Sequence, residues 1–308
     1  MAKTSLLLAR IAIATGRRFP LTRAMRPARA LLGFIIFVFV GGALISPWVF
    51  EGVLALGVQN VPFRRVVDRC LIGLALIGLW PLVKALGIRS TKEIGLAPYP
   101  NALRDWGLGI LIGSALLLIA ATVSLGVGAA EWQSRTGWGK QIGSAIATGI
   151  IIALLEEILF RGAIYTALSR VWGWVAGLWA SSAIYGIFHF FARPENPVAV
   201  RWDSGFVVLG RMLKGFTDIQ QVIPGLLSLT LLGVIFVLAF RRTGALFMSM
   251  GIHAALVFWV KLFGFAARTP TTANTWFWGT EKLIDGWFCF ILLCGVTIFL
   301  AKVKPRSP

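Results

Sequence analysis

The chain reads as a series of long apolar runs separated by short charged segments. Cutting at charges and turn residues leaves about eight such runs, at 32–50, 70–88, 107–129, 142–164, 174–192, 222–240, 244–265 and 283–301. Each is close to the roughly 20 residues that a helix needs to cross a bilayer. The runs lack the apolar/polar alternation of membrane-barrel strands. Hydrocarbon offers the backbone no water to bond, so runs of this kind must be helical. The pattern predicts an all-α fold, a polytopic transmembrane helix bundle of about eight spans over residues 31–301, flanked by tails at 1–30 and 302–308. Residues such as Pro81 inside a run predict local kinks.

Composition agrees with this pattern and adds an orientation. Apolar residues make up 57% of the chain, which leaves little for a soluble domain. Thirty Lys and Arg against twelve Asp and Glu give a net charge of +18. That balance could suggest nucleic acid, but the cations sit mainly in short loops and tails. The first thirty residues hold Lys3, Arg10, Arg17, Arg18, Arg23, Arg26 and Arg29 and no acid, which predicts a cytoplasmic amino terminus. Eight spans then return the carboxyl tail, with Lys302, Lys304 and Arg306, to the cytoplasm. The larger share of Lys and Arg falls inside under this topology. The expected partner is thus the lipid bilayer, at the plasma (inner) membrane, with no nucleic acid. Ser5–Thr15 is short, broken by Arg10 and without a clear cleavage site, which argues against a removed signal peptide.

Smaller signals fit the same picture. Cys70, Cys289 and Cys294 show no paired metal spacing and read as core packing. Trp48, Trp106, Trp172, Trp174 and Trp287 lie near the ends of apolar runs, where amphipathic rings favour the membrane interface. Two connections are long: 89–106, expected in the cytoplasm, and 193–221, expected outside. The second contains apolar pieces such as Phe206 to Leu209 and reads either as an amphipathic interfacial helix or as an ordinary connection. Asp285, at the start of the last span, is expected to cap it. Lys261, late in the seventh, is expected to snorkel to the interface.

The candidate chemistry stands out because ionisable groups inside the runs are so few. Glu156 and Glu157 are adjacent within the apolar stretch Ile150 to Phe160, and both histidines of the chain, His189 and His253, lie in two other runs. Ionisable groups in a membrane core cost several kcal/mol (roughly 3 on insertion scales) and face a partner or a wet cavity. These four are therefore expected to meet. Glu157 and Arg161 are four apart and share a helix face, so they can pair. Glu156 is rotated by about 100° and points elsewhere. A free buried carboxylate of raised pKa suits a general base that activates water. Depth fits only in part. Glu156 lies about 12 Å from residue 164 and His253 about 14 Å from residue 244, but His189 lies about 22 Å from residue 174. The fifth helix must start later than 174, or tilt, for His189 to join them.

These residues carry a resemblance. Leu154-Leu155-Glu156-Glu157-Ile158-Leu159-Phe160-Arg161-Gly162 resembles the EExxxR motif of the CPBP family of CAAX proteases and bacteriocin-processing enzymes. Tyr185-Gly186-Ile187-Phe188-His189 resembles its FxxxH motif, and Arg242 to Leu246 leading to His253 resembles the region of its HxxxN motif. The matched region covers roughly 142–260 and is similar to the type II prenyl-protein CAAX endopeptidase. The resemblance implies an intramembrane endopeptidase with Glu156 as general base assisted by His189. Glu157 and Arg161 would hold the site, and His253 would stabilise the oxyanion. The implied substrate is a membrane-anchored or lipidated protein. Glu156, His189 and His253 could also ligate zinc with one open position, the only cofactor the residues suggest; a metal-free glutamate mechanism uses the same residues. The family's Asn is Val257 here. With that amide missing, Tyr185 and Ser249, each one turn from a histidine, are candidate oxyanion or positioning groups. Two other classes compete: a non-catalytic membrane scaffold or immunity protein of the same fold, which Val257 favours, and a small-solute or proton-coupled transporter, which the absence of an inverted repeat disfavours.

Overall fold

A computed structural model of the chain describes residues 21–191, 195–197, 199–217 and 219–302. The expectations for the tails at 1–20 and 303–308, including the signal-peptide reading, lie outside the described residues. Apolar helices follow one another along the chain. Helix α1 is Leu21–Ala55, α2 is Phe63–Ala85 and α3 is Ala102–Gly126. Helix α4, Trp138–Glu157, runs on through a π-helical segment, Ile158–Tyr165, into α5, Thr166–Trp172. Then come α6, Trp174–Phe188, and α7, Ser204–Met212. After them lie α8, Ile219–Thr243, α9, Phe247–Ala266, the single turn α10, Thr275–Trp278, and α11, Trp287–Lys302. A two-residue antiparallel pair, β1 (Glu131–Trp132) with β2 (Ala267–Arg268), closes the Trp138 end of the bundle. There Arg268 donates twice to one Glu131 oxygen.

Among the described residues six helices are long and apolar enough to cross a membrane, and α6 and α11 are shorter apolar helices. The molecule is a helical membrane bundle, with span limits that differ from the sequence reading. Helix α2 starts at Phe63 rather than 70 because Arg64, Arg65, Asp68 and Arg69 belong to its first turns. Charges at helix ends do not end helices. The fourth span does not stop at 164: α4, the π segment and α5 run to Trp172. Helix α6 stops at Phe188, so the fifth run yields only 15 residues of helix. The last ten residues of the basic tail, from Leu21, are already helical.

Glycines set the distances between the helices that matter. Gly173 joins α5 to α6 at φ 82° and ψ 163°, a region open only to glycine, and so reverses the chain. Helix α9 lies almost backbone to backbone on α3. A Cβ on Gly109 would meet the Met248 carbonyl oxygen at 2.2 Å, and one on Gly251 would meet that of Trp106 at 2.2 Å. Small residues at such contacts are how membrane helices gain van der Waals packing without a hydrophobic driving force. The connection after α2 forms a strap across one end of the bundle. In it Gly95 accepts from the Leu246 N–H, Ile94 abuts Gly162, and Glu93 pairs with Arg170 at 2.6 Å. In the 193–221 connection, α7 buries Val208 and Met212 against Phe63 and Val67 while Phe206 and Val207 stay exposed.

Candidate active site

Glu156 and Glu157 close α4, and the helix widens to π geometry from the next residue. Single π segments of this kind are frequent at functional sites. The freed register lets the Thr166 hydroxyl donate to the Arg161 carbonyl at 3.0 Å. Arg161 Nη1 lies 2.9 Å from Glu157 Oε1, with the two side chains 1% and 0% exposed. Tyr185 and Phe236 place their rings 4.5 and 4.4 Å from the guanidinium carbon. A desolvated guanidinium over aromatic faces gains cation–π energy of about 2 kcal/mol, which helps to hold the charge in an apolar core.

The same Glu157 oxygen lies 2.9 Å from His253 Nδ1. Helical spacing assigned Glu157 to Arg161 alone; it also serves His253, across to another helix. A carboxylate only accepts, so in the neutral imidazole the proton is on Nδ1 and Nε2 presents its lone pair. His189 behaves alike. It caps the end of α6, and its Nδ1 lies 2.9 Å from the Tyr185 carbonyl, which also only accepts. Both Nε2 atoms face Glu156: each is 3.7 Å from Oε2. That oxygen is buried and makes no hydrogen bond to the described residues. Phe236 stacks on the His253 ring at 4.9 Å and 17°, and Tyr185 lies 4.3 Å from the His189 ring centre.

Depth now agrees without moving the start of α6. Measured from Trp172, Glu156 is about 24 Å along its helix; measured from Trp174, His189 is about 22 Å along the next. The end of the fourth span, not the start of the fifth, was misplaced. His253 reaches the same level because the turn before α9 enters the bundle. Gly95 holds Leu246 beside Ile94 and Gly162, so α9 begins level with the π segment.

A cavity of about 570 Å³ opens beside the carboxylate between α1, α2, α4 and α6. Its walls are apolar, among them Phe34, Val38, Leu71, Leu159 and Phe188, with Glu156, His189 and Asp68 as the ionisable groups. Asp68 escaped the sequence reading because it was assigned to a loop. Its place about one helical turn before Leu71 and Ile72, which line the same cavity, is the signal that could have found it.

The other sequence candidates separate. Tyr185 is 2% exposed, its ring packed between Arg161 and His189. Ser249 donates its hydroxyl to the Leu246 carbonyl at 2.9 Å and does not join the groups around Glu156. Val257 stands one turn after His253 and is not part of the cavity wall. The zinc arrangement does not close: among the described residues no group of three or more His, Cys, Asp or Glu is placed to hold an ion. Asp285 accepts from the N–H and hydroxyl of Thr280, bracing the turn before α11 rather than capping that helix as expected. Lys261 does not snorkel outward; its ammonium turns to Thr148 and Ser144.

Residues 138–259 match the family model described as Rce1-like, Type II CAAX prenyl endopeptidase Rce1-like. The match begins with the first residue of α4, ends inside α9, and includes Glu156, Glu157, Arg161, His189 and His253. No curated protein and no solved structure matches the chain. This segment is similar to the type II CAAX prenyl endopeptidase family, and it holds the glutamate, arginine and histidine side chains that gather around Glu156.

Proposed function

We propose that this chain, built around a CAAX-protease domain, is an intramembrane endopeptidase that hydrolyses a peptide bond of a membrane-anchored or lipidated polypeptide, prenylated CAAX ends among them. The observation that carries the reading is the convergence of two imidazole Nε2 atoms on one carboxylate oxygen, each at 3.7 Å, at the wall of a large apolar cavity. Three acceptors facing one another call for a donor between them, and a water molecule has the two protons and the size to serve. Glu156 removes one proton as the water oxygen bonds to the scissile carbonyl carbon, whose π electron pair moves to the oxygen. The proton then passes to the amide nitrogen as the C–N bond breaks, giving a carboxylic acid and an amine. His189 orients the water. His253, oriented by Glu157 at its Nδ1, stands beside the developing oxyanion and helps to stabilise it. Arg161 holds Glu157 in place. The cavity receives the apolar part of the substrate. The basic residues near the strap, Lys84, Arg89, Lys92, Arg170, Arg241 and Arg242, support a cytoplasmic position for that end and for both termini, in the plasma membrane.

The test is cleavage of a fluorogenic membrane substrate by the purified full chain. Glu156→Ala is expected to abolish turnover while eluting and melting like the wild type; a fully active variant sinks the mechanism. One observation favours a second reading, a non-catalytic scaffold or immunity protein of the same fold: Val257 stands where the family's amide donor would. Wild-type protein and Val257→Asn both silent on the substrate would favour it.

A further inference from the structure

A second hollow, of about 260 Å³, lies between α1 and α2 toward the Leu21 end of α1. Gly33, Phe34 and Phe37 line it from α1, and Ile77, Gly78 and Pro81 from α2, with no ionisable group among the described residues of its walls. Gly33 keeps it open, since a Cβ there would meet nothing within 4 Å. Ile77 is 65% exposed, so the hollow opens outward, toward the hydrocarbon around the bundle.

The packing of this hairpin fixes what stands at the mouth of the hollow. A Cβ on Gly42 would meet Leu71, one on Gly41 would meet Leu74, and one on Gly78 would meet Phe34 and Phe37. Five residues back from Phe34 and six on from Gly78, that antiparallel register sets Arg29 level with Lys84. Arg29 is one turn before Gly33 and Lys84 one turn after Pro81, so both continue the stripes that line the hollow. The Lys84 ammonium lies 4.9 Å from the ring centre of Trp80, an exposed tryptophan of the kind that marks a membrane interface. Neither cation forms an ion pair among the described residues. The acids of the two helices, Glu51 and Asp68, belong to the other end of the hairpin. Topology alone would place cations at an interface, but it does not call for a hollow beneath them.

We propose that this end of the hairpin binds an anionic phospholipid, with the headgroup phosphate between Arg29 and Lys84 and one acyl chain lying over Gly33 in the hollow. Two cations at one depth repel each other, and a shared phosphate replaces that repulsion with two charge-assisted contacts. From Arg29 to Phe37 the stripe runs about 12 Å along α1, the direction an acyl chain takes from its headgroup. A zwitterionic lipid could fill the hollow but would bring a cation of its own to Arg29 and Lys84, so net charge selects the occupant. The site lies outside residues 138–259 and does not depend on the protease reading. It adjoins the catalytic site all the same. Phe34 lines both this hollow and the cavity beside Glu156, and Leu82 packs against the cluster that holds Ala163 of the π segment. A lipid seated here braces the cavity wall from behind.

The experiment titrates the purified full chain with phosphatidylglycerol or phosphatidylcholine of the same acyl chains, reads bound lipid by native mass spectrometry, and takes melting temperatures in nanodiscs of each lipid. Each cation near the surface is worth about fivefold in affinity for an anionic lipid. Wild type should therefore hold one phosphatidylglycerol about 30-fold more tightly than phosphatidylcholine and melt higher in its discs. The double variant Arg29→Gln/Lys84→Gln should lose both the preference and the gain in melting temperature, while melting like wild type in phosphatidylcholine. Should the double variant fail to fold, each single variant carries the same test with a loss of about fivefold. Gly33→Leu fills the hollow from an open position and should weaken retention of both lipids although both cations remain. Equal retention of the two lipids by wild type overturns the inference. A preference that survives in Arg29→Gln/Lys84→Gln overturns it too, by placing the anion on other basic residues. Retention unchanged in Gly33→Leu does the same, because it would mean a headgroup contact without a seated chain.

Discussion

Oε1 of Glu157 lies 2.9 Å from Nδ1 of His253, joining the end of α4 to α9, and the same oxygen holds Arg161 at 2.9 Å. One buried carboxylate thus answers to two cationic or proton-bearing groups. Neither neighbour can be removed without changing what the other experiences.

Glu157→Gln is expected to lower both stability and activity. It leaves the Arg161 guanidinium buried without its anion, which costs about 3–5 kcal/mol. It also replaces the carboxylate that orients His253 through its Nδ1. Adding Arg161→Met should recover most of the melting temperature but not the turnover. If the double variant regains activity together with stability, the carboxylate has no role beyond neutralising Arg161.

Val257→Asn places an amide one turn after His253 on the same helix face. An oxyanion donor is worth about 100- to 1000-fold in rate. A rotamer not shaped for it recovers part of that, so kcat is expected to rise by about tenfold with KM little changed. Steady-state kinetics on the fluorogenic substrate decide. A fall in kcat would show that Val257 is shaped for this chain's own substrate instead.

The close approach of α3 and α9 makes opposite effects for two helical glycines. Alanine normally favours a helix over glycine by about 1 kcal/mol. At Gly143 a Cβ meets nothing within 4 Å, and Gly143→Ala should leave the protein unchanged or slightly more stable. At Gly251 the Cβ would press on the Trp106 carbonyl at 2.2 Å. Gly251→Ala is expected to cost about 1–3 kcal/mol and to lower activity, since His253 is two residues away. Thermal melts in detergent read both. Equal melting temperatures for the two variants would refute the tight contact.

The strap predicts a dependence on pH. The Arg170 guanidinium, and then the Arg89 N–H, hold the Glu93 carboxyl below its ordinary value of 4.5. A depressed folded-state pKa means that the contribution is full above the ordinary value and is lost as pH falls through the lower, folded one. Wild type should therefore melt above Glu93→Gln at neutral pH, and the gap should close on acidification below 4.5. A gap that stays constant down to about pH 3 would show that the ion pair does not titrate with folding.

Helix capping and charge illustrate what could be read in advance and what could not. Lys261, late in its run, was legible as a membrane cation, but its direction was not. That depends on which α4 hydroxyls stand beside α9, and hence on how the two helices pack. Asp285 was legible as a capping residue type, yet it braces Thr280 because the chain turns there before α11 begins. Arg64, Arg65, Asp68 and Arg69 read as a loop because charge ended the apolar run. In the fold they are helix, and Asp68 reaches the cavity.

The sequence by itself determined that this chain is a helical membrane bundle. Apolar runs of that length leave the backbone no partner but itself. It also determined that Glu156, Glu157, Arg161, His189 and His253 form one constellation, because ionisable groups are too costly in hydrocarbon to be scattered there. The tertiary structure decided the rest. It extended the fourth span to Trp172, so that Glu156 and His189 stand at one depth, and it gave Glu157 a second partner in His253. It also opened the apolar cavity beside Glu156 and set Lys261 against the hydroxyls of Ser144 and Thr148 on α4. Periodicity along a chain fixes which face of a helix a residue occupies. What that face meets depends on the crossings, the glycine contacts and the turns that bring other helices to it.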